Sequence, residues 1–440
     1  MMFYHAPSSG IVSPFWVSDF KKIVTKVFVA TTVPLVLTVL LQRYFFMDRA
    51  YPSPLTVSKT LARGLDDLLE KRIEGEDARE KLGELLQAAL HLEFSTIAPY
   101  LSAAYSITED NAIRRLILRV AKEEMLHMTA VANLMNAIGI PPRILEVISE
   151  YPFDLVVIDG TLLLELKSFS FELVENLFMK IEAPEDPVEF PTLPSFGGLA
   201  FERPKTIGEF YAGIIELIGN DTIPDLFVNA ERDVYKQRQV ALRFDQERDK
   251  INYLSDQENG IYPLKADINF LIRDKESAVH HLEWIVSEGE GAEKFNPLGP
   301  EGIPGHYYRF ESILESRYLI RDENVELKYS YSGGGLPFSP DEVHEFDPNA
   351  KVEHYAASPQ VERHMKRFNE KYTAMIDGLQ AAFNCPSPEQ EPVATAAYDE
   401  AISAMRDMPG IAGAIIRKAK EANIKAGLPF QYKPVDPPLA

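Results

Sequence analysis

Glu123-Glu124-Met125-Leu126-His127-Met128 sits inside a run, Ala112 to Ile138, whose apolar residues recur at helical spacing. Ile113, Leu116, Ile117, Val120, Val131 and Leu134 form one stripe. Glu124 lies four residues after Val120, and His127 lies three after Glu124 and four before Val131. Residues three and four apart share a helix face. A carboxylate and an imidazole therefore point where the stripe points, into a core. Unpaired charge there is costly, and a metal ion offsets that cost. Glu123 faces about a quarter-turn away and reads as a flanking residue.

The preceding run supplies a partner. Leu82, Leu85, Leu86, Ala89, Leu92 and Ile97 repeat at helical spacing, and Glu93 falls four residues after Ala89 on the same face. Pro99 predicts a kink near the end of this helix. Thr108-Glu109-Asp110-Asn111 reads as a turn and N-cap for the next helix. Two long helices joined so briefly pack antiparallel, which brings Glu93 towards Glu124 and His127.

Composition narrows the function. The chain has 440 residues and a formal net charge of -21, which excludes nucleic-acid binding through a basic surface. Cys385 is the only cysteine, so intrachain disulfides and thiolate-rich metal sites are excluded. The N-terminus differs from the rest. Val27 to Gln42 is an uncharged apolar run with Lys21, Lys22 and Lys26 before it and Arg43 and Arg49 after it. It predicts a single N-terminal membrane anchor, although it is shorter than the roughly 20 residues of a full span. A secretory or organelle-targeting segment is the alternative.

Tyr51-Pro52-Ser53-Pro54 reads as a linker. Helices are expected over Ala78–Ile107, Ala112–Ile138, Thr206–Ile218, Lys275–Glu288, His306–Tyr318, Arg363–Phe383 and Thr395–Ala426, with a short one at Ser168–Glu175. Residues 143–200 are irregular and proline-rich, including Phe196-Gly197-Gly198. Several residues compete to complete the site. Glu209 follows Thr206 at the spacing of a capping box, where it would only bond the Thr206 backbone. Glu216 lies on the same helix, and Glu290 stands between two glycines at a helix end. His306 opens the fifth helix; Glu276 with His280 or His281 is a rival constellation.

These stretches resemble a known family, the ferritin-like domain associated with iminophenyl-pyruvate dimer synthases. The resemblance rests on Leu86 through Leu101, Glu123 through Met128, Ile181-Glu182-Ala183-Pro184-Glu185, Thr206 through Tyr211, Glu288 through Ala292 and His306 through Phe310, in that order. It covers roughly residues 78–320. It implies a mainly α protein: a ferritin-like helical bundle with long loop insertions, beside the N-terminal hydrophobic anchor helix. The expected divisions are residues 1–50 (anchor and flanks), 51–77 (linker), 78–320 (metal-binding domain) and 321–440 (C-terminal helical extension packed on the bundle). On the family pattern Glu93, Glu124 and His127 form one half-site, and Glu209, Glu290 and His306 complete the other. The implied cofactor is a pair of iron ions, with manganese the alternative. The implied function is oxidation of a small organic, aromatic-type metabolite. Tyr100, Tyr105 and Tyr211 are candidates to line its pocket, with simple packing the stronger reading for each. The alternative is a metal-binding scaffold without catalysis.

Overall fold

The computed structural model describes residues 55–160, 162–184, 206–239, 269–290, 296–299 and 303–434, the side chain of residue 290 excepted. The N-terminal apolar run, the 51–54 linker stretch and the Phe196-Gly197-Gly198 excursion lie outside them. Among the described residues no helix is long and apolar enough to cross a membrane.

The architecture is mainly helical. In chain order come α1 (Lys59–Leu69), α2 (Gly75–Ser106) and α3 (Ala112–Ala137). A short composite helix, α4, follows, built from Phe171–Leu173, a π turn at Val174–Phe178 and Met179–Ile181. Then come α5 (Ile207–Gly219), α6 (Lys275–Glu290), α7 (His306–Glu315), α8 (Pro359–Phe383) and α9 (Glu391–Ala422). Two small antiparallel hairpins, β1 (Phe153–Asp154) with β2 (Leu163–Leu164) and β3 (Ile320–Arg321) with β4 (Tyr329–Ser330), decorate the loops.

Three differences from the expected elements have local causes. The stretch expected as a linker contains α1, capped where the Ser58 side chain accepts from Leu61 N–H; Leu65 and Leu68 are fully buried. α6 runs through Gly289 instead of stopping there, so glycine marks no C-terminus at that point. α7 ends at Glu315 because Ser316 adopts a left-handed conformation, φ 56°, which halts α-helical propagation.

α2 and α3 pack as the expected pair, α5 packs on α6, and α8 on α9. The last pair approaches closely: a Cβ on Gly378 would stand 2.7 Å from Ala397 O. Asn111 caps α3, its Oδ1 accepting from Arg114 N–H at 2.9 Å. Pro99 stays inside α2. Proline cannot donate to the carbonyl four residues back. That carbonyl, Ser95 O, instead accepts from the Tyr151 hydroxyl at 3.0 Å. Near the end of α3, Asn133 donates to Arg238 O and Phe270 O, and Asn136 to Lys236 O and Phe383 O. Buried amides thus pin two loops and the end of α8 to the helix that carries Glu124.

Candidate metal centre

Burial defines the centre. Glu93 on α2, Glu124 and His127 on α3, Glu182 at the end of α4, Glu288 on α6 and His306 at the start of α7 are each no more than 9% exposed. Water can therefore do little to screen four carboxylates and two imidazoles.

Their arrangement is close to two-fold around Glu124. On one side His127 Nδ1 lies 3.4 Å from Glu93 Oε2 and 3.7 Å from Glu124 Oε1. On the other, His306 Nδ1 lies 2.7 Å from the same Glu124 oxygen and 3.3 Å from Glu182 Oε2. Behind each ring stands a further carboxylate. Glu288 Oε2 is 3.1 Å from His127 Nε2, and Glu123 Oε2 is 3.2 Å from His306 Nε2. The outer oxygens of the two flanking glutamates each accept from a buried phenol: Tyr211 donates to Glu93 and Tyr100 to Glu182. The two imidazole rings stack with centroids 5.4 Å apart.

Glu123, Arg119 and Arg309 form a buried ionic support. Arg119 Nε donates to Glu123 at 2.9 Å, and Arg309 donates to its other oxygen. Burial alone would raise the Glu123 carboxyl, but the two guanidiniums and His306 outweigh it and hold it well below the usual carboxylate range. An ionised Glu123 stands 3.2 Å behind His306 Nε2, the place that carboxylates commonly take behind metal-ligating histidines.

The donor atoms fit a metal. Three sets of ligand atoms each lie within 4.8 Å of one another: Glu93–Glu124–His127, Glu124–Glu182–His306 and His127–Glu288–His306. Glu124 Oε1 and His306 Nδ1, though close, make no directed hydrogen bond to each other or to anything else among the described residues. Buried polar atoms are seldom left in that state. Their lone pairs converge on shared space instead. An oxygen and nitrogen donor set without thiolate suits iron or manganese.

Without an ion, protons carry the compensating charge. Burial, against the pull of His127, pushes Glu93 up to about 7. Burial would lower both imidazoles, but the surrounding carboxylates hold His127 and His306 well above the usual histidine range. Burial would raise Glu124, yet His306 and His127 keep it below the usual carboxylate range.

The other sequence-derived candidates stand elsewhere. Glu209 Oε2 accepts from Thr206 N–H at 2.6 Å, and Thr206 Oγ1 accepts from Glu209 N–H at 3.1 Å, a complete capping box. Local satisfaction of the helix end takes this carboxylate away from the cluster. A Glu209→Ala variant should lose about 0.5–1 kcal/mol of stability and keep its metal content, measured by thermal unfolding and elemental analysis. The Glu290 side chain lies outside the described residues. His281 directs both ring nitrogens at backbone carbonyls, Ser277 O and Asn269 O, while Glu276, His280 and Glu216 are exposed. Tyr105 lines a different cavity from the centre.

A cavity opens beside the cluster. Leu92, Ile181, Ile207, Ile285 and Val286 make its apolar wall, and Gly208 and Gly289 leave room there. A Cβ on Gly289 would stand 3.9 Å from Glu182 Oε2, so even a small side chain would begin to fill the space in front of that carboxylate.

The family model described as ferritin-like matches residues 86–315, which include all six clustered side chains. Dichlorochromopyrrolate synthase from Lentzea aerocolonigenes is 24% identical over 281 residues, 61% of this chain and 25% of that protein. The chain thus spans about a quarter of the length of the curated relative it matches. A crystal structure of a ferritin-like protein from Caulobacter vibrioides aligns with a TM-score of 0.41 and 19% identity, covering 80% of this chain and 97% of that one.

Proposed function

Since the chain belongs to the ferritin-like family, we propose that it is a non-haem di-iron oxidoreductase acting on a small, uncharged organic molecule. One observation carries the reading: a single buried carboxylate, Glu124, serves two ligand sets at once. Glu93 and His127 would hold one ion, Glu182 and His306 the other, and Glu124 would lie between them. This is the inward Glu-x-x-His device of carboxylate di-metal bundles with its second copy divided between α4 and α7. Glu288 is either a further ligand or the carboxylate that orients His127, as Glu123 orients His306.

Iron held there would supply the electrons that dioxygen needs to oxidise a substrate. The chain's own groups prepare the site. Tyr100 and Tyr211 tie back the outer oxygens of Glu182 and Glu93, which leaves the inner oxygens to face the metals. Burial, reinforced by the adjoining carboxylates, pushes both phenols well above their ordinary range, so they stay protonated as donors. The aliphatic wall excludes water and favours an uncharged substrate. The relative's name, dichlorochromopyrrolate synthase, contains a pyrrole, which supports an aromatic substrate.

Anaerobic loading with ferrous iron should give about two irons per chain, and admitting air should consume oxygen. Tight binding without oxygen uptake across a panel of aromatic amines and acids would favour the scaffold reading.

Metal binding should depend steeply on pH. A metal must displace the Glu93 proton and those on the imidazoles. Glu93 titrates near 7, so affinity should rise through that pH by about tenfold per unit for each proton displaced. The stability of the metal-free protein moves the opposite way. A carboxyl raised from 4.5 to about 7 disfavours the fold increasingly as pH rises between those values, and the raised histidines lose their contribution as pH climbs further. Glu124, shifted downward, acts only in more acid solution. The melting-temperature gap between manganese-loaded and metal-free protein should therefore widen from pH 6 to pH 8. A constant gap refutes the protonated resting cluster.

A further inference from the structure

A second cavity lies between the α2–α3 pair and the C-terminal α8–α9 pair. The residues facing it are out of step with those facing the metal centre. On α2 the centre takes Glu93 and Thr96, while the cavity takes Phe94, Leu101 and Tyr105. On α3 the centre takes Glu124 and His127, while the cavity takes Met125 and Met128. One residue is about 100° of helix, so the two spaces lie on adjoining flanks of the same helices.

We propose that this cavity is a binding site for a neutral aromatic compound carrying a hydrogen-bond acceptor. Three features lead there. No charged side chain lines the cavity, and a charged ligand would lose its hydration without a partner. Tyr105 and Tyr372, 8% and 3% exposed, both line it. Burial pushes both phenols up, so each keeps its proton and stands as a donor. An acceptor on a ligand gives such a donor a partner inside the cavity.

The wall favours a ring over a chain. Phe94, Tyr398 and Phe430 offer faces and edges to an aromatic guest. Five of the chain's 11 methionines line the same space, and thioethers both contact rings favourably and adapt to their outline. Ile97, Met125, Met375 and Met405 are only half-buried and form the mouth. The site stands apart from the iron reading, because none of its lining residues belongs to the cluster.

Titration of the full-length protein with N-phenyl-1-naphthylamine should give saturable fluorescence. 1-Naphthol should displace the probe at concentrations at least about tenfold below those needed for 1-decanol, roughly 1.4 kcal/mol in favour of the ring. Leu379→Trp, which fills the interior, and Met405→Trp, which closes the mouth, should each weaken binding about tenfold or more. Tyr372→Phe should weaken 1-naphthol about fivefold. Circular dichroism and manganese content should match the parent protein in every variant, and Met405→Trp keeps the test valid if Leu379→Trp does not fold. Non-saturable binding, probe affinity unchanged in folded Met405→Trp, or 1-naphthol affinity unchanged in Tyr372→Phe overturns the proposal; displacement by 1-decanol as readily as by 1-naphthol overturns the aromatic assignment.

Discussion

Glu124→Ala should remove both metal ions, whereas His127→Ala should remove one. Glu124 Oε1 stands 2.7 Å from His306 Nδ1 and 3.7 Å from His127 Nδ1, and its carboxylate belongs to the ligand sets on both sides. Taking it away deprives each ion of a charged donor and leaves each half with one carboxylate and one imidazole, aside from Glu288. His127 belongs to the set with Glu93 and Glu124 and to the set with Glu288 and His306, while the Glu124–Glu182–His306 set survives its loss. Iron content should thus fall from about two per chain to near zero in Glu124→Ala and to about one in His127→Ala. A ligand at 100 times its dissociation constant stabilises the fold by about 2.7 kcal/mol, so added manganese should no longer raise the melting temperature of Glu124→Ala. Circular dichroism should confirm that the metal-free fold persists, since the substitution removes a buried charge. A Glu124→Ala protein that keeps one ion at parental affinity would show that the two halves do not share this carboxylate.

How much of this centre can be read from residues alone follows from helix regularity. Glu93, Glu124 and His127 lie on long uninterrupted stripes, where a period of 3.6 residues assigns a face to every position. The same logic reaches Glu288: Ala278, Leu282 and Ile285 are buried, and Glu288 comes three residues after Ile285. Glu290, set between two glycines, draws the reading away from it because Gly289 resembles a helix stop, although α6 continues through that glycine. Glu182 has no such signal. The π turn at Val174–Phe178 breaks the 3.6 period just ahead of it, so only the folded chain shows where that carboxylate points. Glu209 illustrates the opposite error, since a cap partner three residues away outcompetes a distant cluster for the same side chain. The phenols behind Glu93 and Glu182 come from positions 118 and 82 residues away in sequence; no local pattern encodes such pairings.

The largest effect on stability should come from Arg309→Met. Glu123 is fully buried, and Arg309 is 3% exposed. The guanidinium donates to Glu123 through Nη1 and to Pro304 O through Nε at 2.7 Å. It thereby ties the loop before α7 to the carboxylate that orients His306. Methionine preserves much of the volume and removes the charge. Breaking one partner of a buried ion pair costs about 3–5 kcal/mol, because the remaining charge stays desolvated. Arg119 still pairs with Glu123, which places the expected loss at about 3 kcal/mol. Adding Glu123→Gln to Arg309→Met removes the stranded charge, and the double variant should recover part of the loss. In a double-mutant cycle the two changes should couple by about 1–3 kcal/mol. The metal readout separates orientation from stability: Glu123→Gln alone should weaken metal binding about 10- to 100-fold, chiefly at the His306 side, where Nε2 loses the ionised carboxylate 3.2 Å away. Additive stability effects together with parental metal affinity in Glu123→Gln would mean that the arginines serve packing alone and that His306 is held by its surroundings without this carboxylate.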